Sequence, residues 1–67
     1  MFHYNKLRGR IIEKYGTLKD FAANIGTSYV SVSKKICGKT GFSQEDIVKW
    51  SEYLDIKPDE YSIYFFA

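Results

Sequence analysis

Between Thr17 and Gly38 the chain reads Thr-Leu-Lys-Asp-Phe-Ala-Ala-Asn-Ile-Gly-Thr-Ser-Tyr-Val-Ser-Val-Ser-Lys-Lys-Ile-Cys-Gly, and the spacing of its small and apolar residues permits few folds. Ala22 sits four residues before Gly26, Val32 follows that glycine by six, and Ile36 comes four later. Apolar residues three to four apart predict a helix on each side of Gly26. A small side chain at Ala22 lets the two helices approach closely. Glycine takes the φ > 0 conformation that ends a helix. Thr27 behind it is expected to cap the following helix through its hydroxyl.

The flanking sequence predicts more helices and no repeat or low-complexity segment. Asn5 is placed to cap a first helix running to about Tyr15, with Tyr4, Leu7, Ile11 and Tyr15 as its apolar stripe and Ile12 beside it. Gly9 inside this helix costs about 1 kcal/mol relative to alanine; Gly16 ends it. Thr17, with Asp20 three residues on, opens a second helix whose Leu18, Phe21, Ala22 and Ile25 face inward. The third helix spans about Ser28 to Cys37 and buries Val32 and Ile36. After the loop Gly38-Lys39-Thr40-Gly41, Ser43 and Asp46 start a fourth helix with the stripe Ile47, Trp50, Leu54, flanked by Val48 and Tyr53. Glu45 and Asp46 suit its positive N-terminal end. Pro58 fits the first turn of a short last helix. The fold class expected is a compact all-α five-helix bundle, one domain over residues 1–67.

Sixty-seven residues need a dense core, because so short a chain buries only about 60% of its unfolded surface. A content of 45% hydrophobic and 18% aromatic residues can supply it. Cys37 is the only cysteine, so no intrachain disulfide forms. No apolar run approaches the ~20 residues of a membrane span, and the N-terminus lacks the apolar core of a secretory signal. The expected setting is the cytoplasm. The net charge of +2 hides a division: residues 1–42 carry eight Lys/Arg and two acids, residues 43–67 two Lys and six acids. A basic half attracts phosphates and an acidic half repels them; two ordinary solvated helix surfaces are the alternative.

Two short helices joined by a glycine turn at this spacing read as a helix-turn-helix over about residues 17–38, whose second helix is the one offered to a DNA major groove. On Ala22, Gly26, Val32 and Gly38 the chain resembles the lambda-repressor-like helix-turn-helix family, also called XRE, over roughly residues 5–56. The stretch Val32-Ser33-Lys34-Lys35-Ile36-Cys37-Gly38-Lys39 followed by Phe42-Ser43-Gln44-Glu45-Asp46-Ile47 resembles, more narrowly, small temperate-phage regulators of the Cro or modulator-of-repression kind. The resemblance implies a five-helix domain that binds operator DNA, in the cytoplasm of a bacterial host. It places the groove-facing positions at Ser28, Tyr29, Val30, Ser33 and Lys34. Phosphate or rim contacts fall at Thr17, Lys19, Lys39 and Thr40, with Arg8 and Arg10 as secondary candidates.

That outer face is short of base-reading chemistry. Family members often carry Gln, Asn or Arg there, which bond base edges bidentately for ~1–3 kcal/mol of discrimination each. Two serines, a tyrosine, a valine and a lysine make a better protein-contact surface, since tyrosine combines apolar area with a hydroxyl and is enriched at interface hot spots. Two readings stay open. In one, the chain modulates a phage repressor protein through this surface, as an anti-repressor in a lysis-lysogeny type switch. In the other, it is a Cro-like protein that binds operator DNA itself, as a homodimer spanning two half-sites. Lys35 lies off the contact face on either reading.

The remaining residues with reactive side chains read as structural. His3 has no ligand partner at metal spacing. Cys37, beside Lys34, Lys35 and Lys39, reads as a small residue filling a helix end rather than as a reactive thiol. Trp50 is expected in the core, and Glu45, Asp46 and Glu52 on a solvated face. The tail Ile63-Tyr64-Phe65-Phe66 either folds back on helix one near Phe2 and Tyr4 or forms a self-association edge. No nucleophile set, phosphate-cradling loop or metal cluster is present, so the chain is expected to be no enzyme and to need no cofactor or small-molecule substrate.

Overall fold

The computed structural model describes residues 4–66; His3 and Phe2, named above, lie outside them. Five helices follow in order: α1 Asn5–Tyr15, α2 Leu18–Ile25, α3 Tyr29–Ile36, α4 Gln44–Leu54 and, after a 3-10 turn over Pro58–Glu60, α5 Tyr61–Phe65. No strand occurs among the described residues. The all-helical class and the five helices expected from periodicity are both present. Gly9 is exposed inside α1, and a Cβ added there meets nothing within 4 Å.

Capping chemistry sets most of the boundaries. Thr17 Oγ1 accepts from the Asp20 N–H at 3.0 Å, as the sequence suggested. Ser43 and Asp46 form a full capping box: Ser43 Oγ accepts the Asp46 N–H, and the Asp46 carboxylate accepts the Ser43 N–H, each at 3.1 Å. Gly26 (φ 77°) and Gly38 (φ 79°) end α2 and α3 in the left-handed region. Each glycine is followed by a residue whose N–H reaches back five positions, Thr27 to Ala22 O at 3.0 Å and Lys39 to Lys34 O at 2.9 Å. These are Schellman closures.

Two expected caps move by one residue. The N-cap of α3 is Ser28, extended at φ −83° and ψ 153°, whose Oγ accepts the Ser31 N–H at 3.1 Å. Thr27 lies one residue further out, where its N–H closes α2 on Ala22 O. At α1 the cap position is Tyr4, left-handed at φ 44°, and Asn5 is already the first helical residue.

The core joins Leu7 and Ile11 of α1, Leu18, Phe21, Ala22 and Ile25 of α2, Val32 and Ile36 of α3, Ile47, Trp50 and Leu54 of α4, then Ile56 and Phe65. Every stripe residue expected inside α2, α3 and α4 is buried; Ile12, Val48 and Tyr53 stay exposed. A line of edge-to-face rings runs from Tyr15 to Phe21 (5.2 Å), Trp50 (5.0 Å), Phe42 (4.9 Å) and Phe65 (5.2 Å), with Tyr4 also on Phe42 at 5.2 Å. Such pairs add ~0.5–1.5 kcal/mol beyond their buried area. Phe65 therefore brings the aromatic tail onto the core and α1, whereas Ile63 and Phe66 remain exposed.

Candidate functional site

The outer face of α3 is built by the same residues that bury its inner face. Val32 and Ile36, one turn apart, anchor the helix in the core; Tyr29, Val30 and Lys34, off that stripe, turn outward. Tyr29 is 49% exposed and Val30 58%. Ser28 and Lys34 are exposed and Ser33 half-buried. Part of the Ser28 hydroxyl is already engaged, since beside its cap it donates to Ser31 Oγ at 3.0 Å. Thr17, Lys19, Lys39 and Thr40 are all exposed. Thr17 Oγ1 is tied to its capping role, so it presents the N-terminal end of α2 rather than a free hydroxyl.

Three cations of the basic half belong to the scaffold. Arg10 donates through Nε to Leu54 O at 2.8 Å and through a terminal nitrogen to Asp55 O at 3.3 Å, closing the C-terminal end of α4, and it pairs with Glu13 at 3.0 Å. This removes Arg10 from the candidate contacts. Lys14 pairs with the Asp55 carboxylate. Lys35 reaches Asp46 at 2.8 Å and Gly41 O at 3.3 Å, with its ammonium 5.6 Å from the Phe42 ring centre. Lys35 is thus off the outer face as expected. Asp46, read as part of a solvated face, is half-buried and joins the α4 cap to α3.

The two carboxylates respond. Burial works to raise the Asp46 pKa, but the Lys35 hydrogen bond, the Ser43 backbone and hydroxyl, and the Lys35 charge together carry it below its ordinary value. Asp55 is lowered by its hydrogen bond and charge pairing with Lys14, against a small desolvation, with Arg10 adding to the effect. By contrast Arg8, Lys19, Lys34 and Lys39 form no ion pair among the described residues.

Sequence reasoning missed one feature. A groove of about 450 Å³ opens where α1, α2 and α3 meet, lined by Arg8, Ile12, Leu18, Lys19 and Tyr29 around the Gly16-Thr17 turn. Its parts come from three helices, so no local pattern announces it; exposed Ile12 beside the α1 stripe was the available signal. Among the described residues no cluster of His, Cys, Asp or Glu can hold a metal, and no helix is long and apolar enough to cross a membrane. Cys37 is a free, exposed thiol at the end of α3.

A family described as "Protein of unknown function (DUF739)" matches residues 1–67. The fold is similar to the solution structure of the modulator of repression (MOR) of the temperate bacteriophage TP901-1 from Lactococcus lactis. That likeness has 35% sequence identity and a TM-score of 0.87, and covers 97% of this chain and 88% of the other. Among curated proteins none matches the sequence.

Proposed function

The chain belongs to the DUF739 family, and from that premise we propose that it is a small phage regulator that modulates a cognate repressor protein through the outer face of α3. Two facts support the reading together. The chain shares its fold and 35% of its residues with a phage modulator of repression, and the exposed large hydrophobic side chains of α3 are Tyr29 and Val30. The second fact carries the mechanism. An aromatic ring with a hydroxyl and an adjacent aliphatic group form an anchor for a protein surface, with Ser33 and Lys34 on the same helix to add polar contacts. Ser28 and Thr40 flank the helix at its two ends, and Lys39 follows its closure. In this reading α2 and α3 form a helix-turn-helix within a single domain, whose usual base-reading face meets a protein instead.

A second reading, operator binding by the chain itself, is favoured by one observation: Lys19, Lys34 and Lys39 are exposed and form no ion pair among the described residues, which leaves them available for phosphate contacts. Mobility shift on the switch-region DNA, with and without the repressor and at several salt concentrations, separates the two. The repressor reading expects a shift that changes only when repressor is present, and loss of that effect in Tyr29→Ala with helicity retained. Sequence-specific, salt-sensitive binding by the chain alone would reject it in favour of the second reading.

A further inference from the structure

We infer that the groove between α1, α2 and α3 docks an acidic amphipathic segment of a protein partner, an aliphatic anchor flanked by carboxylates. The inference rests on the repressor reading above and adds the chemistry of the segment that is held. Its floor is apolar: Ile12, 48% exposed and off the buried stripe of α1, faces the same opening as Leu18 and the Tyr29 ring. Its rims are cationic: Arg8 from α1 and Lys19 from α2 line it, and neither has an ion pair among the described residues. No carboxylate lines it. Two acids adjoin it in sequence: Glu13, held by Arg10 at 3.0 Å, and Asp20, next to Lys19, whose carboxylate lies 4.0 Å from where a Cβ on Gly16 would stand and so leaves the Arg8 side as the acid-free rim.

Charge and apolarity together choose the occupant. A nucleic-acid backbone would satisfy Arg8 and Lys19 but would cover Ile12 and Leu18 with phosphates, wasting the floor. An apolar segment without acids would leave two rim cations unanswered. A helix bearing an aliphatic side chain with acids one turn to either side answers both, and about 450 Å³ is room for such an anchor. The chain has a face of this kind on α4, where Glu45, Val48 and Glu52 fall three and four residues apart and are exposed. Yet a copy docked by that face would leave its own groove open for the next. Such head-to-tail contacts close into rings only at particular rotations and otherwise run on into open chains, so a different protein is the simpler occupant.

The probe is a synthetic amphipathic peptide with leucine anchors and flanking glutamates, titrated into the isotope-labelled full chain and followed by amide chemical shifts. Shifts confined to residues 8–19 and Tyr29, with affinity reduced about tenfold or more in Arg8→Glu/Lys19→Glu, are expected. The same peptide with lysines for glutamates should bind the native chain less well and the reversed variant better. Equal binding of the two peptides, or shifts elsewhere, would overturn the inference. So would the same amides moving with chain concentration alone, which assigns the groove to a second copy, or moving more strongly with duplex DNA. Failure of the groove and failure of the α3 reading are distinguishable. If Arg8→Glu/Lys19→Glu spares the repressor effect that Tyr29→Ala removes, the groove is refuted and the α3 reading stands. If the peptide binds the groove but the repressor leaves the chain's spectrum unchanged, the α3 reading is refuted.

Discussion

Arg8 and Arg10 lie two residues apart on one helix and do different work. Arg10 reaches across to the end of α4 and takes the carbonyls of Leu54 and Asp55, while Arg8 stands at the rim of an open groove with no ion pair among the described residues. The same division runs through the basic half. Lys14 and Lys35 hold carboxylates of the acidic half; among the described residues Lys19, Lys34 and Lys39 hold none. A surplus of positive charge read along the chain therefore overstates what reaches a partner. What remains of that half among the described residues is Lys6, Arg8, Lys19, Lys34 and Lys39, of which Arg8 and Lys19 meet at the groove.

The contrast between a tied side and an open side can be broken by substitution. The largest effect is expected at Phe42, where three rings and the Lys35 ammonium meet. Phe42→Ala should cost about 2–3 kcal/mol, read as a lower urea midpoint. Next come the two arginines. Arg10→Ala should lose about 1–1.5 kcal/mol because it leaves the α4 carbonyls without their donor, whereas Arg8→Ala should stay within about 0.5 kcal/mol. Equal losses at the two positions would erase the distinction.

Acid should act on the tied side alone. The folded pKa values of Asp46 and Asp55 lie below their ordinary value of 3.8, so the folded chain holds these protons less tightly than the unfolded chain. Their contribution is complete above about pH 4 and is lost as pH falls through the lowered values. Asp46→Asn should flatten that acid loss in a series of urea midpoints, besides removing about 1 kcal/mol of capping and pairing at neutral pH. Smallest of all is the stability change at Tyr29. Tyr29→Ala should move the midpoint by no more than about 0.5 kcal/mol while weakening the repressor contact about tenfold, measured by mobility shift.

What was legible in the sequence was whatever neighbours decide among themselves. Ala22, Gly26 and Val32 set the α2–α3 turn because a left-handed residue and a close approach admit few side chains. Ser43 and Asp46 announced their reciprocal cap at a spacing of three. The cap of α3 slipped by one residue because Thr27 and Ser28 both offer a hydroxyl, and where the helix begins, with the Ser31 N–H on Ser28 Oγ, is set by the fold and not by the pair itself. The Arg10 bonds to the end of α4 span 44 and 45 positions and leave no local trace, and neither does a groove assembled from three helices. Exposure of Tyr29, Val30 and Lys34 followed from burying Val32 and Ile36, so that part of the candidate face was readable in advance.

Gly9 gives α1 unused headroom. Its surroundings are empty, it sits mid-helix away from the positive-φ glycines, and a methyl group there meets nothing within 4 Å. An alanine at this position should return up to about 1 kcal/mol, more than either Arg8→Ala or Tyr29→Ala is expected to remove. A chain carrying it becomes a sturdier host in which the face can be rebuilt one side chain at a time, with lost binding no longer mistaken for lost structure.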